Sequence, residues 1–263
     1  MRFEVPQPHR RAEQGAGIGH RENPTPRPED IERLRELLRA EAEALRAKNF
    51  PVDDECRIDP EAFRGTVYSD SAIERDHDAV KRMRQEFRED EGKVSEIGHI
   101  LEDAVTVAFN KLWFDKRLIK VRTAEYDDYV NGIDELIIDT KTSQIIAAVD
   151  TTIIPESKGL KLKESINGSF SVRYGVSLES GAVNMGSLKD IPYAIITITP
   201  GDLTRFLREL SQEPPSPFIE NLGRKMLDQL AKEMGQFVDL ADVRHKSVYR
   251  NARAIFTEMQ VGS

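Results

Sequence analysis

The chain has 263 residues, enough for one sizeable core or a core with an appendage. It is 39% hydrophobic and 32% charged, with 46 acidic against 38 basic residues and a net charge of −8. That composition excludes collagen-like and mucin-like chains, and its acidity argues against indiscriminate coating of nucleic acid, though not against a local basic surface.

Residues 1–28 carry five prolines and no periodicity, and are expected to form a flexible tail. Gly15, Gly17 and Gly19 within it follow no strand, so a dinucleotide loop is not expected there. Residues 29–48 place Ile31, Leu34, Leu38 and Leu45 on one stripe, predicting an amphipathic surface helix. After an irregular connection at 49–68, a second helix is predicted over 71–89, and residues 29–92 are taken as an N-terminal helical extension. On that second helix, His77 reads as a half-buried, hydrogen-bonded histidine rather than a metal ligand. A third helix is predicted over 93–114, with Ile97, Leu101, Ala104, Val105, Ala108 and Leu112 as its apolar stripe. Glu102 lies off that stripe, on a flank shared with Phe109 and Trp113.

The period then changes to two. Residues 118–126, 133–139, 144–152 and 192–198 read as strands rich in Ile, Val, Thr and Ala. Asn131 and Gly132 mark one turn, and 140–143 another. Apolar residues on both alternating faces imply a sheet covered on both sides. A helix crossing the sheet is predicted over 156–173. Helices are also predicted from Thr199 and Pro200 to about 210, from Ser216 and Pro217 to about 234, and over 242–259. Residues 93–212 would form the α/β core, with 213–263 as C-terminal helices packed on it. The single cysteine, Cys56, leaves no internal disulfide and no cysteine zinc cluster. The apolar runs fall far short of the roughly 20 residues of a membrane span, and no secretory signal opens the chain, so a cytoplasmic address is expected.

The hairpin of 133–139 and 144–150 carries the chemistry. A turn centred on residue 142 sets Asp134 opposite Asp150 on one face, with Cβ atoms roughly 5 Å apart. Two carboxylates so placed repel unless a proton or a cation lies between them, and Mg²⁺ suits one or two carboxylates with waters and phosphate. The competing reading is that both aspartates simply end strands and are solvated.

The order of a helix with Glu102, a strand, a strand opening at Asp134, a strand ending at Asp150, a helix and a further strand resembles the core of the PD-(D/E)XK nuclease superfamily. Gly98 to Glu102 looks like its helix motif, Gly132, Ile133 and Asp134 like its strand aspartate, and Asp150, Thr151 and Thr152 take the (D/E)-x-K position. The resemblance spans roughly 94–200 and implies a restriction-endonuclease-like αβββαβ fold with a central mixed sheet, and Mg²⁺- or Mn²⁺-dependent cleavage of DNA or RNA. It also implies that Asp134, Asp150 and the Thr151 carbonyl hold the ion, with Glu102 orienting a water. The sequence departs from the family at Thr152, where the motif has lysine. Either a lysine of the next segment (Lys158, Lys161 or Lys163, with Lys161 the catalytic candidate) completes the site, or cleavage has been lost and the fold serves as a binding or assembly module. Lys158, Lys163 and Arg173 are candidate phosphate contacts. The helical extensions offer surfaces for a protein partner or a second copy.

Charge is uneven along the chain. Residues 123–150 hold seven acidic residues and one lysine, whereas 111–122 hold five basic and one acidic, with Trp113 and Phe114 among them. That basic segment either contacts nucleic acid through cations and stacking, or buries its aromatics in the core and ends a helix.

Overall fold

The computed structural model describes residues 26–87, 93–153, 170–179, 182–241 and 245–261. The apolar stripes of the N-terminal half become α1 (Pro28–Arg46), α2 (Asp70–Phe87) and α3 (Lys93–Val107), the last running on through a one-turn helix, Ala108–Leu112. The alternating segments become β1 (Leu118–Arg122), β2 (Glu135–Asp139), β3 (Gln144–Thr152), β4 (Ser171–Glu179), β5 (Ala182–Lys189) and β6 (Tyr193–Thr197). Three helices follow: α4 (Pro200–Glu209), α5 (Pro217–Leu240) and α6 (Lys246–Val261). The fold is mixed α/β with a mixed central sheet. Most of the tail expected over 1–28 lies outside the described residues.

The central sheet has the order β1-β2-β3-β6. β1, β2 and β3 form an antiparallel meander, and β6 returns parallel to β3, which requires a crossover connection. The helix predicted across 156–173 falls largely outside the described residues, but its last residues, 171–173, belong to β4. A β4–β5 hairpin there had no counterpart among the predicted elements. Val172, Tyr174, Val176 and Leu178 give β4 a period of two, and at its centre Gly175 pairs with Gly186, where a Cβ at 175 would sit 2.2 Å from the Leu188 side chain. The strand predicted over 118–126 also stops at Arg122. The chain then makes a one-turn helix, Asp127–Asn131, closed by Gly132 at φ +66°, a conformation open to glycine.

Both sheet edges are sealed by side chains. On β1 the Lys120 N–H donates to Asn110 Oδ1 (2.8 Å) and its carbonyl accepts from Asn110 Nδ2 (2.9 Å). Arg122 continues that edge by backbone bonds with Cys56 and Ile58, both 2.9 Å. On β6 the Ile195 N–H donates to Glu233 and the Ile195 carbonyl accepts from Gln229, both residues of α5. Sealing removes the unpaired backbone row that would otherwise recruit another strand.

One apolar core runs from Leu34 of α1 to Met259 of α6. α1 buries Leu34, Leu38, Ala42 and Leu45, and packs against α3. Thr199 and Ser216 cap α4 and α5, as their sequence positions predict. Trp113 is 4% exposed, stacks on Phe206 and donates its indole N–H to the Ile219 carbonyl at 3.0 Å. It therefore belongs to the core and not to a base-stacking surface. A Cβ at Gly223 would stand 2.7 Å from that indole ring. Gly223→Ala should cost about 1–3 kcal/mol from overpacking, despite the better helix propensity of alanine. Denaturant unfolding that finds the variant equal to or more stable than the parent would refute this close packing.

Candidate functional site

Strand alternation divides the charged residues of the sheet between two faces. Glu135 pairs with Val149, Leu136 with Ala148 and Ile137 with Ala147, the register expected from a turn centred on 142. Continued by one residue, this register sets Asp134 opposite Asp150 at the open end of the hairpin. Asp150 is 0% exposed and Asp134 is half-buried. Tyr193, paired with Ala148 across β6, shares their face. Burial raises the pKa of its hydroxyl, and the neighbouring Asp150, Asp134 and Glu233 carboxylates raise it further. Tyr193 was not singled out in the sequence. Only the parallel pairing of β6 brings it to the aspartates.

The reverse face holds a different set. Lys120 and Arg122 from β1, Glu135 from β2 and Thr151 from β3 point toward α3. Lys120 forms a buried ion pair with Glu135, and Thr151 Oγ1 donates to Glu135 Oε2 at 2.6 Å. Burial lowers the Lys120 pKa and raises that of Glu135, while their mutual attraction opposes both shifts. Arg122 donates to Asp103 at 2.6 Å and to Glu102 at 3.2 Å. Burial works against ionisation of Glu102, but His99 and Arg122 outweigh it and hold the carboxyl below its usual range. Burial pushes Asp103 up to about 6. Glu102 thus projects from α3 into an arginine cluster, not toward the Asp134–Asp150 face. The family-implied trio is split between the two faces of the sheet. Rotation of α3 about its axis and the sheet face it covers decide this, and neither is readable from helix periodicity alone.

The other candidates are placed as follows. Thr152 ends β3, two residues beyond Asp150 and therefore on the same face. Lys158, Lys161 and Lys163 lie outside the described residues. Arg173, a candidate phosphate contact, is ion-paired with Asp76 and lies over the Tyr68 ring at 4.5 Å. Its guanidinium binds α2 to β4. Within the basic stretch 111–122, Lys120 and Arg122 are buried, Arg117 bridges Asp139 and Glu258, and Lys111 pairs with Glu213. His77 is more exposed than expected, with 46% of its side chain accessible beside Glu61. Cys56 is buried, which pushes its thiol up to about 12, so it is no nucleophile.

A cavity of about 520 Å³ between α1 and α3 and one of about 640 Å³ against α2 share Arg57, Arg84 and Glu125 in their linings. Neither includes Asp134 or Asp150. Among the described residues, no three His, Cys, Asp or Glu side chains converge as a metal cluster. In donor type Asp134, just before β2, and Asp150, on β3, suit a hard divalent cation, two carboxylates with the rest of the coordination left to carbonyl and water. No helix among the described residues is long and apolar enough to cross a membrane. No family model, no curated protein and no solved structure matches the chain.

Proposed function

We propose that the chain is a divalent-cation-dependent phosphodiester hydrolase acting on nucleic acid, built on a restriction-endonuclease-like core. The observation that carries this reading is the register of β2 and β3, in which Glu135 pairs with Val149; continued by one residue it would bring Asp134 beside Asp150 at the end of a four-stranded sheet ordered β1-β2-β3-β6. The antiparallel meander and the parallel return of β6 supply further support.

Asp134 and Asp150 would hold Mg²⁺ or Mn²⁺, with the Thr151 carbonyl as a further donor. Such an ion, when bound, would supply a water of lowered pKa and neutralise charge on the phosphate. Asp150, fully buried on a central strand, is fixed before substrate arrives, and half-buried Asp134 leaves the site an open side. Tyr193 stays protonated and presents a neutral hydroxyl beside both carboxylates. Glu102 is assigned no part in catalysis, since Arg122 and His99 hold it on the other face.

A second reading has its own support. With Glu102 committed to Arg122 and Thr152 standing in the lysine position, the fold would serve as a catalytically inactive binding or assembly module. Incubation of the pure protein with plasmid and with single-stranded DNA and RNA in Mg²⁺ or Mn²⁺ separates the two. Cleavage that Asp150→Asn lowers by at least about 100-fold is the expected result, the scale of a lost electrostatic contact in the transition state. Cleavage unaffected by Asp150→Asn, or none at all, leaves the binding module.

A further inference from the structure

Asp134 and Asp150 each have a chain neighbour that points through the sheet to the other face. Those neighbours, Glu135 and Thr151, are bonded to each other there, Thr151 Oγ1 to Glu135 Oε2, at 2.6 Å. Lys120, reaching across from β1, donates to Glu135 and lies 3.3 Å from Thr151 Oγ1. The Thr106 hydroxyl of α3 donates to Glu135 Oε1 at 3.4 Å. Lys120 and Glu135 are 0% exposed and Thr151 is 3% exposed, so no ligand or bulk solvent explains this cluster.

A buried lysine–carboxylate pair is a poor source of stability, because desolvation offsets most of its attraction. Its best-attested use is to enforce one register. The β2–β3 pair needs such a device. Between Ile137 and Ile138 the ladder shifts by one, so that Ile138 pairs with Ile145 and Asp139 with Gln144. The turn therefore sets the register of its own half only. At the open end a slip of one residue would turn Asp150 away from Asp134, because side chains alternate faces along a strand.

We infer that Lys120, Glu135 and Thr151 form a clamp on the reverse face of the sheet that positions Asp134 and Asp150 to share one divalent cation. The inference rests on the proposed metal site. The three side chains act as positioning groups, since none of them touches the ion or the substrate; the Thr151 carbonyl, which Thr151→Val leaves in place, remains the proposed donor.

The test is titration with Mn²⁺ alone, followed by the electron paramagnetic resonance signal of free Mn²⁺, on the wild type, Thr151→Val, Thr151→Ser and Asp150→Asn. It is run at a temperature where circular dichroism shows each protein folded. Thr151→Val keeps the side-chain volume and deletes the hydroxyl, and is expected to weaken Mn²⁺ binding roughly tenfold, as loss of an outer-shell partner does. Thr151→Ser restores the hydroxyl and should restore the affinity, an outcome that a general loss of stability would not produce. Thr151→Ala serves in place of Thr151→Val if the latter does not fold. Wild-type affinity in the hydroxyl-free variant, with binding lost in Asp150→Asn, overturns the clamp and leaves the metal site standing. Equal titrations of wild type and Asp150→Asn overturn the metal site and the clamp with it.

Discussion

Lys120→Met is expected to lower the unfolding free energy by about 3–5 kcal/mol, the cost of leaving one partner of a buried ion pair uncompensated. Glu135 then loses its only ion-pair contact and keeps the longer-range attraction of Arg122, paired opposite it on β1, with the Thr106 and Thr151 hydroxyls as hydrogen-bond donors. For a chain of this size the midpoint of thermal unfolding should fall by roughly 2–4 °C per kcal/mol. The double variant Lys120→Met/Glu135→Leu, which removes both charges, should regain most of the loss, because well-packed apolar replacements of a buried pair are often neutral or stabilising. Its Mn²⁺ affinity should stay low, since register and not stability is what the pair specifies. Urea denaturation of the four corners of this cycle measures the coupling. A loss below about 1 kcal/mol in Lys120→Met, the range of a solvent-exposed pair, would mean that the ammonium reaches water.

Asp127→Ala should be similarly severe. The Asp127 carboxylate is 0% exposed and accepts three bonds: from the Asn131 side chain at 2.6 Å, the Arg173 N–H at 2.7 Å and the Tyr174 N–H at 2.9 Å. Burial pushes its carboxyl up to about 6 even though these donors pull it down. Deleting the acceptor strands buried backbone N–H groups, each at about 1–3 kcal/mol, for a total loss of about 3 kcal/mol or more. The same carboxylate ties β4 to the turn that precedes Asp134, while Asp76 holds the Tyr174 hydroxyl at 2.5 Å. Amide hydrogen exchange at Tyr174 should therefore accelerate in the variant more than exchange at Ile137 in the central sheet. Asp128→Ala is the control, because its carboxylate is partly exposed and makes a single ion pair with Arg57. A loss from Asp127→Ala no larger than that of the control would show that water replaces the carboxylate.

Much of the molecule was legible in the residues. The change of period from 3.6 to 2 near residue 118 located the helices and the central strands, because burial on one face imposes that period wherever a segment sits. Thr199 with Pro200 and Ser216 with Pro217 announced two helix starts, because an N-terminal turn needs a side-chain acceptor and tolerates a missing N–H. The facing of Asp134 and Asp150 was read from a turn centred on 142; Glu135 to Ile137 keep that register, but a one-residue shift between Ile137 and Ile138 separates them from the turn, so the turn residues alone do not set it. Two charges embedded in apolar strands, Lys120 and Glu135, were a readable signal of a buried pair, yet their partnership across β1 and β2 was not stated by any local pattern.

What the amino-acid sequence determined by itself was therefore local: the type of most elements, helix starts, and the neighbour pairing of β2 with β3. What only the tertiary structure decided was which side of the sheet each charge faces and what meets it there. Glu102 found Arg122 instead of the aspartates, Arg173 found Asp76 and the tyrosines instead of solvent, and Tyr193 arrived beside Asp150 through a parallel pairing more than 40 residues away in the chain. Periodicity fixes a side chain's angle about its own element. The angle between elements is set by packing, and on that packing depends whether a charge is neutralised inside the fold or left to act.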